Sequence, residues 1–179
     1  MFHTSKTVLA ALVAATVSLS AATALAQNAP TQNIVEIAAG SSNHTTLVAA
    51  VKAAGLVDTL AGSGPFTVFA PTNAAFDKLP AGTVDSLLKP ENKDQLAKIL
   101  TYHVVSGNVD AHDLIKLIKK GGGKAELKTV SGDTLTATLN DGNVVLTDEK
   151  GGTATVTTAD LHAANGVIHV VDSVLLPNN

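Results

Sequence analysis

Apolar residues recur at helical spacing along the chain up to about Gly121, and at every second position from Lys124 onward. Leu47, Val48 and Val51 mark a helical stripe that Ser42 or Asn43 can cap and Gly55 can close. Leu56, Val57 and Leu60 continue as a further helical turn, which Gly62-Ser63-Gly64-Pro65 breaks. Phe66-Thr67-Val68-Phe69 alternates aromatic and β-branched residues and predicts a strand, stopped by Pro71. Thr72 or Asn73 is then placed to cap a short helix through Phe76 and Leu79. Pro80 starts a segment carrying Val84, Leu87 and Leu88. Pro90-Glu91 opens the helix of Leu96, Ile99 and Leu100, at a position where a missing N–H costs little. Asp110 caps a last helix with Leu114, Ile115, Leu117 and Ile118 as its apolar face, ended by Gly121-Gly122-Gly123.

The second pattern predicts strands around Ala125 to Thr129, Thr134 to Leu139, Val144 to Thr147, Thr153 to Thr158 and Val167 to Leu176. Asn140-Asp141-Gly142-Asn143 has the composition of a tight hairpin turn. In the last strand Val167, His169 and Val171 share one face while Ile168 and Val170 share the other, so both faces are covered and the strand belongs in the middle of a sheet. Helices lead and strands follow without sustained alternation. The expected class is α+β with a largely antiparallel sheet. No internal repeat of domain size is found.

The N-terminus changes the domain boundaries. Lys6, the apolar run from Val8 to Leu19 and the Ala24-Leu25-Ala26 site followed by Gln27 read as a secretory signal peptide over residues 1–26. Its apolar run is shorter than the ~20 residues that a spanning helix needs. Residues 27–32 then form a polar tether containing Pro30, and residues 33–177 form one domain. The expected product is exported to the periplasm or medium, monomeric, with no membrane span after cleavage. The chain has no cysteine, so disulfides, thiol catalysis and thiolate metal sites are excluded. Its net charge is −3 and all 12 basic residues are lysine. That balance provides no footprint for nucleic acid and no guanidinium for bidentate clamps.

Three blocks together resemble the fasciclin (FAS1) domain family. Gly64 to Phe76 (GPFTVFAPTNAAF) is similar to the family's first box, Leu100-Thr101-Tyr102-His103-Val104-Val105 to its central Tyr-His segment, and Asn165 to Asp172 (NGVIHVVD) to its second box. The resemblance implies a wedge of two β-sheets flanked by several short helices. It also implies an adhesion or extracellular binding module without catalytic activity, whose partner is a surface protein or glycan of a cell or matrix. The alternative it leaves open is a hydrolase of plant cell-wall (lignin–carbohydrate) linkages, with His103 as acid or base beside Tyr102.

The resemblance associates Tyr102 and His103 with adhesion, and Tyr102 is the chain's only tyrosine. Asn92, Lys93 and Asp94, with Gln95 and Leu96, resemble an Asn-Lys-Asp-Ile-Leu integrin-recognition motif of animal members, with Gln95 standing in place of Ile. A plainer reading makes Tyr102 and His103 framework, and Asp94 a favourable charge in a first helical turn. His169 is expected to make a structural hydrogen bond, and His44 to be an exposed residue at a helix entry. Asp110, His112 and Asp113 do not face one point on a helix and are read as capping residues, so no metal is expected. His162 has no evident partner. No G-x-S-x-G elbow, phosphate loop or dinucleotide fingerprint is present, and no cofactor is expected.

Overall fold

The computed structural model describes residues 31–178. The expected signal peptide, residues 1–26, and most of the tether lie outside the described residues. In chain order the elements are α1 (Ile34–Gly40), α2 (Thr45–Ala54), α3 (Val57–Ala61), β1 (Phe66–Pro71), α4 (Asn73–Asp77), α5 (Thr83–Leu87), α6 (Lys93–Tyr102) and β2 (Val104–Ser106). They continue with α7 (Ala111–Lys120), β3 (Lys124–Lys128), β4 (Thr134–Asn140), β5 (Asn143–Thr147), β6 (Thr153–Ala163) and β7 (Gly166–Val171). Among the described residues no helix is long and apolar enough to cross a membrane.

The class is α+β, as expected. The seven strands form one ladder in the order β2-β1-β7-β6-β5-β4-β3. Only β1 and β7 run parallel; every other neighbouring pair is antiparallel. The two expected sheets are two halves of this ladder, because β6 belongs to both. Its first residues pair with β5, and Val156 to Ala163 pair with β7 across two register shifts. Such irregularities bend a strand and sharpen its twist. The bend curls the ladder until its edges meet: Val105 bridges Thr129, and the Val130 N–H donates to the Val104 carbonyl at 2.7 Å.

Two apolar cores result. Inside the curl, Ala125, Leu127, Leu135, Ala137, Val144, Leu146 and Ala154 point inward at alternate positions and meet Phe69, Val171 and the buried face of α7. Leu114 and Ile118 supply that face, whereas Leu117, expected on it, is 43% exposed. On the other side of β1 and β7, the helices α1, α2, α3, α5 and α6 pack Ile34, Leu47, Val51, Leu60, Leu87, Leu96 and Leu100 against Val68, Ala70 and Ile168. β7, between β1 and β6, is buried on both faces, as its sequence predicts.

Local chemistry explains most element boundaries. Asp110 Oδ1 accepts from the Asp113 N–H at 2.8 Å and starts α7. The β4–β5 hairpin turns on Asp141 and Gly142, both with positive φ, as a two-residue turn of that composition requires. Hydropathy spacing does not assign residues 34–40, yet they form α1, begun by a reciprocal pair: Glu36 N–H to Asn33 Oδ1 at 2.9 Å and Asn33 N–H to Glu36 Oε2 at 2.8 Å. Neither Ser42 nor Asn43 caps α2. That helix follows a 3-10 turn, Ser42–His44, and its Thr46 N–H donates to Asn73 Oδ1 at 3.1 Å. Thr72 alone caps α4, through Ala75 N–H at 3.3 Å, which leaves the neighbouring Asn73 side chain for α2. β6 runs five residues past the expected Thr158, and β7 ends at Val171 rather than Leu176.

Candidate functional site

The Tyr-His segment closes α6 and feeds β2, so both side chains lie where the two cores meet. Tyr102 is 0% exposed and His103 2% exposed. The Tyr102 hydroxyl donates to the Thr134 carbonyl at 3.2 Å. Burial, with the nearby carboxylates of Asp148, Glu149 and Asp133, pushes its phenol up to about 12. The His103 imidazole has no unused nitrogen. A carbonyl only accepts, so Nδ1 carries the proton and donates to Ile99 O at 2.8 Å; an N–H only donates, so Nε2 accepts from Leu175 N–H at 3.0 Å. Burial lowers its pKa to about 4, partly offset by the Ile99 carbonyl and the Asp148 charge. This ring is a neutral tie between α6 and the C-terminal tail. Asp148 holds the same tail, accepting from Leu176 N–H at 3.0 Å while its other oxygen accepts from Lys150 and Gly152 N–H.

These positions correct the expectation that Tyr102 and His103 present themselves to a partner or substrate. A helix end packed against the interior of the curl has no solvent side, and the polar atoms of both residues are committed to backbone. The plainer reading, framework, describes their geometry.

Asn92, Lys93 and Asp94 lie on the outside, at the start of α6. Asn92 is half-buried and its amide donates to the Ser86 carbonyl at 2.8 Å, tying α6 to the end of α5. Lys93 and Asp94 are exposed, with Asp94 in the first helical turn, where its charge suits the helix dipole. Beside them Thr83, Ser86, Asn92 and Gln95 line an open groove of about 360 Å³ between α5 and α6. The two halves of the sequence-predicted site are therefore separated: the Tyr-His pair lies inside, the Asn-Lys-Asp face outside.

The other histidines follow from their strands and turns. His169 is 1% exposed, stacks on Phe69 at 5.5 Å and donates from Nε2 to the Val109 carbonyl at 2.9 Å, the expected structural hydrogen bond. Thr67 Oγ1 donates to Gly107 O and accepts from Val109 N–H, both at 2.8 Å, so β1 and β7 together hold the β2–α7 loop. His44, expected to be exposed, is buried, because the 3-10 turn before α2 directs it under α1. Its Nδ1 meets Ser41 Oγ at 3.0 Å, its Nε2 has no hydrogen-bond partner among the described residues, and burial lowers its pKa. It lines a small pocket of about 40 Å³, beside an apolar one of about 30 Å³ against Leu47, Val68 and Leu100. Asp110 acts as a helix cap, the Asp113 N–H holding its carboxylate below the usual range, and Asp113 pairs with Lys116 at 3.6 Å.

Asn165 does far more than turn the β6–β7 hairpin. Its Oδ1 accepts from Ile34 N–H at 3.0 Å, and its amide donates to the Leu60 and Gly62 carbonyls at 2.7 and 2.9 Å. One side chain thereby joins α1, α3 and the sheet. In sequence only the following Gly166 hints at it: a Cβ there would collide with the Phe66 carbonyl, so the hairpin sits directly on β1.

Residues 42–177 match the family model described as the fasciclin domain. The chain is 52% identical over 162 residues to protein sll1483 of Synechocystis, covering 90% of this chain and 83% of that protein. It is 40% identical over 152 residues to immunogenic protein MPB70 of Mycobacterium bovis, covering 82% and 70% respectively. It is 37% identical over 153 residues to the pig transforming growth factor-beta-induced protein ig-h3, of which it spans only 20%. A solved FAS1 domain pair from the insect cell adhesion molecule fasciclin I superposes with a TM-score of 0.72 at 21% identity, covering 82% of this chain and 51% of that one. That likeness establishes the fold alone.

Proposed function

The chain belongs to the fasciclin domain family, and from that premise we propose that it is an exported binding module, non-catalytic and monomeric, that attaches to a surface protein or glycan of a cell or matrix through the outer α5–α6 face. Asn92, Lys93 and Asp94 supply the polar contacts. Tyr102 and His103 act from beneath, fixing the helix that presents them. The signal peptide over residues 1–26 delivers the domain to the periplasm or medium.

The observation that carries this reading is the split of the predicted site. The only groups put forward for acid–base chemistry are sealed and neutral, while the recognition segment stands on the surface beside an open groove. A hydrolase using His103 would need that ring in a cleft with a free nitrogen.

The test is attachment of purified protein to envelope or matrix preparations. The double variant Lys93→Glu/Asp94→Lys keeps the fold, because both side chains are exposed, and is expected to lower attachment at least about tenfold, the equivalent of about 1.4 kcal/mol. Unchanged attachment by a folded double variant would remove the α5–α6 face from the proposal.

A further inference from the structure

A larger cleft, sharing no lining residue with the α5–α6 groove, opens where four segments converge. Its volume is about 730 Å³, within the range of about 300–1,000 Å³ typical of small-molecule sites. The walls are the α1 start, the α3–β1 loop, the β2–α7 loop and the β6–β7 hairpin.

Those walls are braced before any ligand arrives. Asn165 ties the hairpin to α1 and α3, and the Phe66 N–H donates to the Asn165 carbonyl at 3.0 Å. Gly107 N–H donates to Pro65 O at 3.0 Å, joining the two loops, and Ala164 N–H donates to Gln32 O at 2.8 Å. A site braced in this way loses little conformational freedom on binding.

The lining has a definite chemical character. Ser63, Asn108 and His162 supply a hydroxyl, an amide and an imidazole, and among the described residues none of these side chains makes a hydrogen bond within the protein. Ala61, Pro65 and Ala164 supply short apolar patches between them. Among the described residues no Asp, Glu or Lys lines the cleft, in a chain with 27 such residues. A charged ligand finds no counter-ion there and a purely apolar one leaves the polar groups unanswered. A ligand with hydroxyls along its edges and C–H faces between them satisfies both sets.

We propose that this cleft is a glycan site, taking a short stretch of a neutral, uncharged oligosaccharide through Ser63, Asn108 and His162. It is a second site beyond the α5–α6 face, and neither depends on the other.

The experiment is a titration of the ¹⁵N-labelled domain with neutral tetrasaccharides (cello-, malto- and galacto-tetraose) and, in parallel, with a tetragalacturonate. Amide shifts confined to residues 61–65, 108 and 162–166 with at least one neutral sugar are expected. Asn108→Ala and His162→Ala, both at exposed side chains, should each weaken binding at least about fivefold without moving the thermal midpoint. No shift in this cleft with any neutral sugar at millimolar concentration overturns the proposal. So does tighter binding of the acidic tetrasaccharide, or binding that survives both substitutions. Lys93→Glu/Asp94→Lys should leave the titration unchanged, which separates failure here from failure of the attachment face.

Discussion

The interior of the curled sheet and the helical layer on its outer side bury similar side chains but are held in different ways. Inside the curl, the apolar set from Ala125 to Ala154 comes from strict alternation along β3, β4, β5 and the start of β6. Each strand places its apolar half inward because a one-residue slip would turn all of it to solvent. The helical layer has no such repeat to align it. Its helices are mostly one or two turns long, too short to be stable alone, and they are positioned by single polar side chains reaching from elsewhere. Asn73 starts α2, Asn165 joins α1 and α3 to the hairpin, and His103 pins α6 to the tail. The two small pockets beside His44 also lie in this layer. A repeating pattern can align a sheet. Short helices need specific ties.

If the contrast holds, the sheet interior responds to lost volume and the helical layer to lost ties. The largest effect is expected for Phe69→Ala, which empties a fully buried position inside the curl and should cost about 4 kcal/mol by denaturant unfolding. A cost below about 1 kcal/mol would mean that the interior collapses freely, and would end the distinction.

Acid should act next, through the helical layer. His103 and His44 have folded-state pKa values below the free value of 6.5, so the unfolded chain takes up protons first as pH falls. Stability present above about 6.5 is then lost progressively down to about pH 4, by roughly 3 kcal/mol for His103 alone. Unfolding midpoints measured between pH 7 and 4 should show this slope, and it should flatten in His103→Gln. A slope of the same size in that variant would assign the loss to other groups. Asn165→Ala comes last, at about 2 kcal/mol, because it leaves Ile34 N–H without its partner and frees the ends of α1 and α3. Amide exchange should accelerate in α1 and α3 while β4 and β5 stay protected; uniform acceleration would contradict separate modes of support.

The same contrast explains what the sequence disclosed. Leu135, Leu146 and the Asp141-Gly142 turn were legible because a period of two and a φ > 0 turn are local properties. Asp110 was legible as a cap for the same reason. The end of β6 was not, because Asp160, at φ +59°, interrupts the alternation where the strand shifts register. The Asn33 and Glu36 capping pair of α1 went unread, because no extended apolar stripe follows it. The surroundings of the site residues were the least accessible. Nothing near His44, Tyr102 or His103 in sequence tells that α1, Thr134 or Leu175 covers them, since each covering group lies at a distance along the chain or on another element. Asn92 to Asp94 were readable as surface because they open an amphipathic helix.

The parallel pairing of β1 with β7 has a consequence for how the domain is made. Phe66 finds its partner in Gly166, a hundred positions later, and the loop between them contains all five other described strands. Closing so long a loop is entropically costly, and topologies dominated by such distant pairings fold slowly. The middle of the sheet therefore cannot form until the final strand has left the ribosome, and a nascent chain lacking it has only the separate β1–β2 pair and the β3–β6 meander to build.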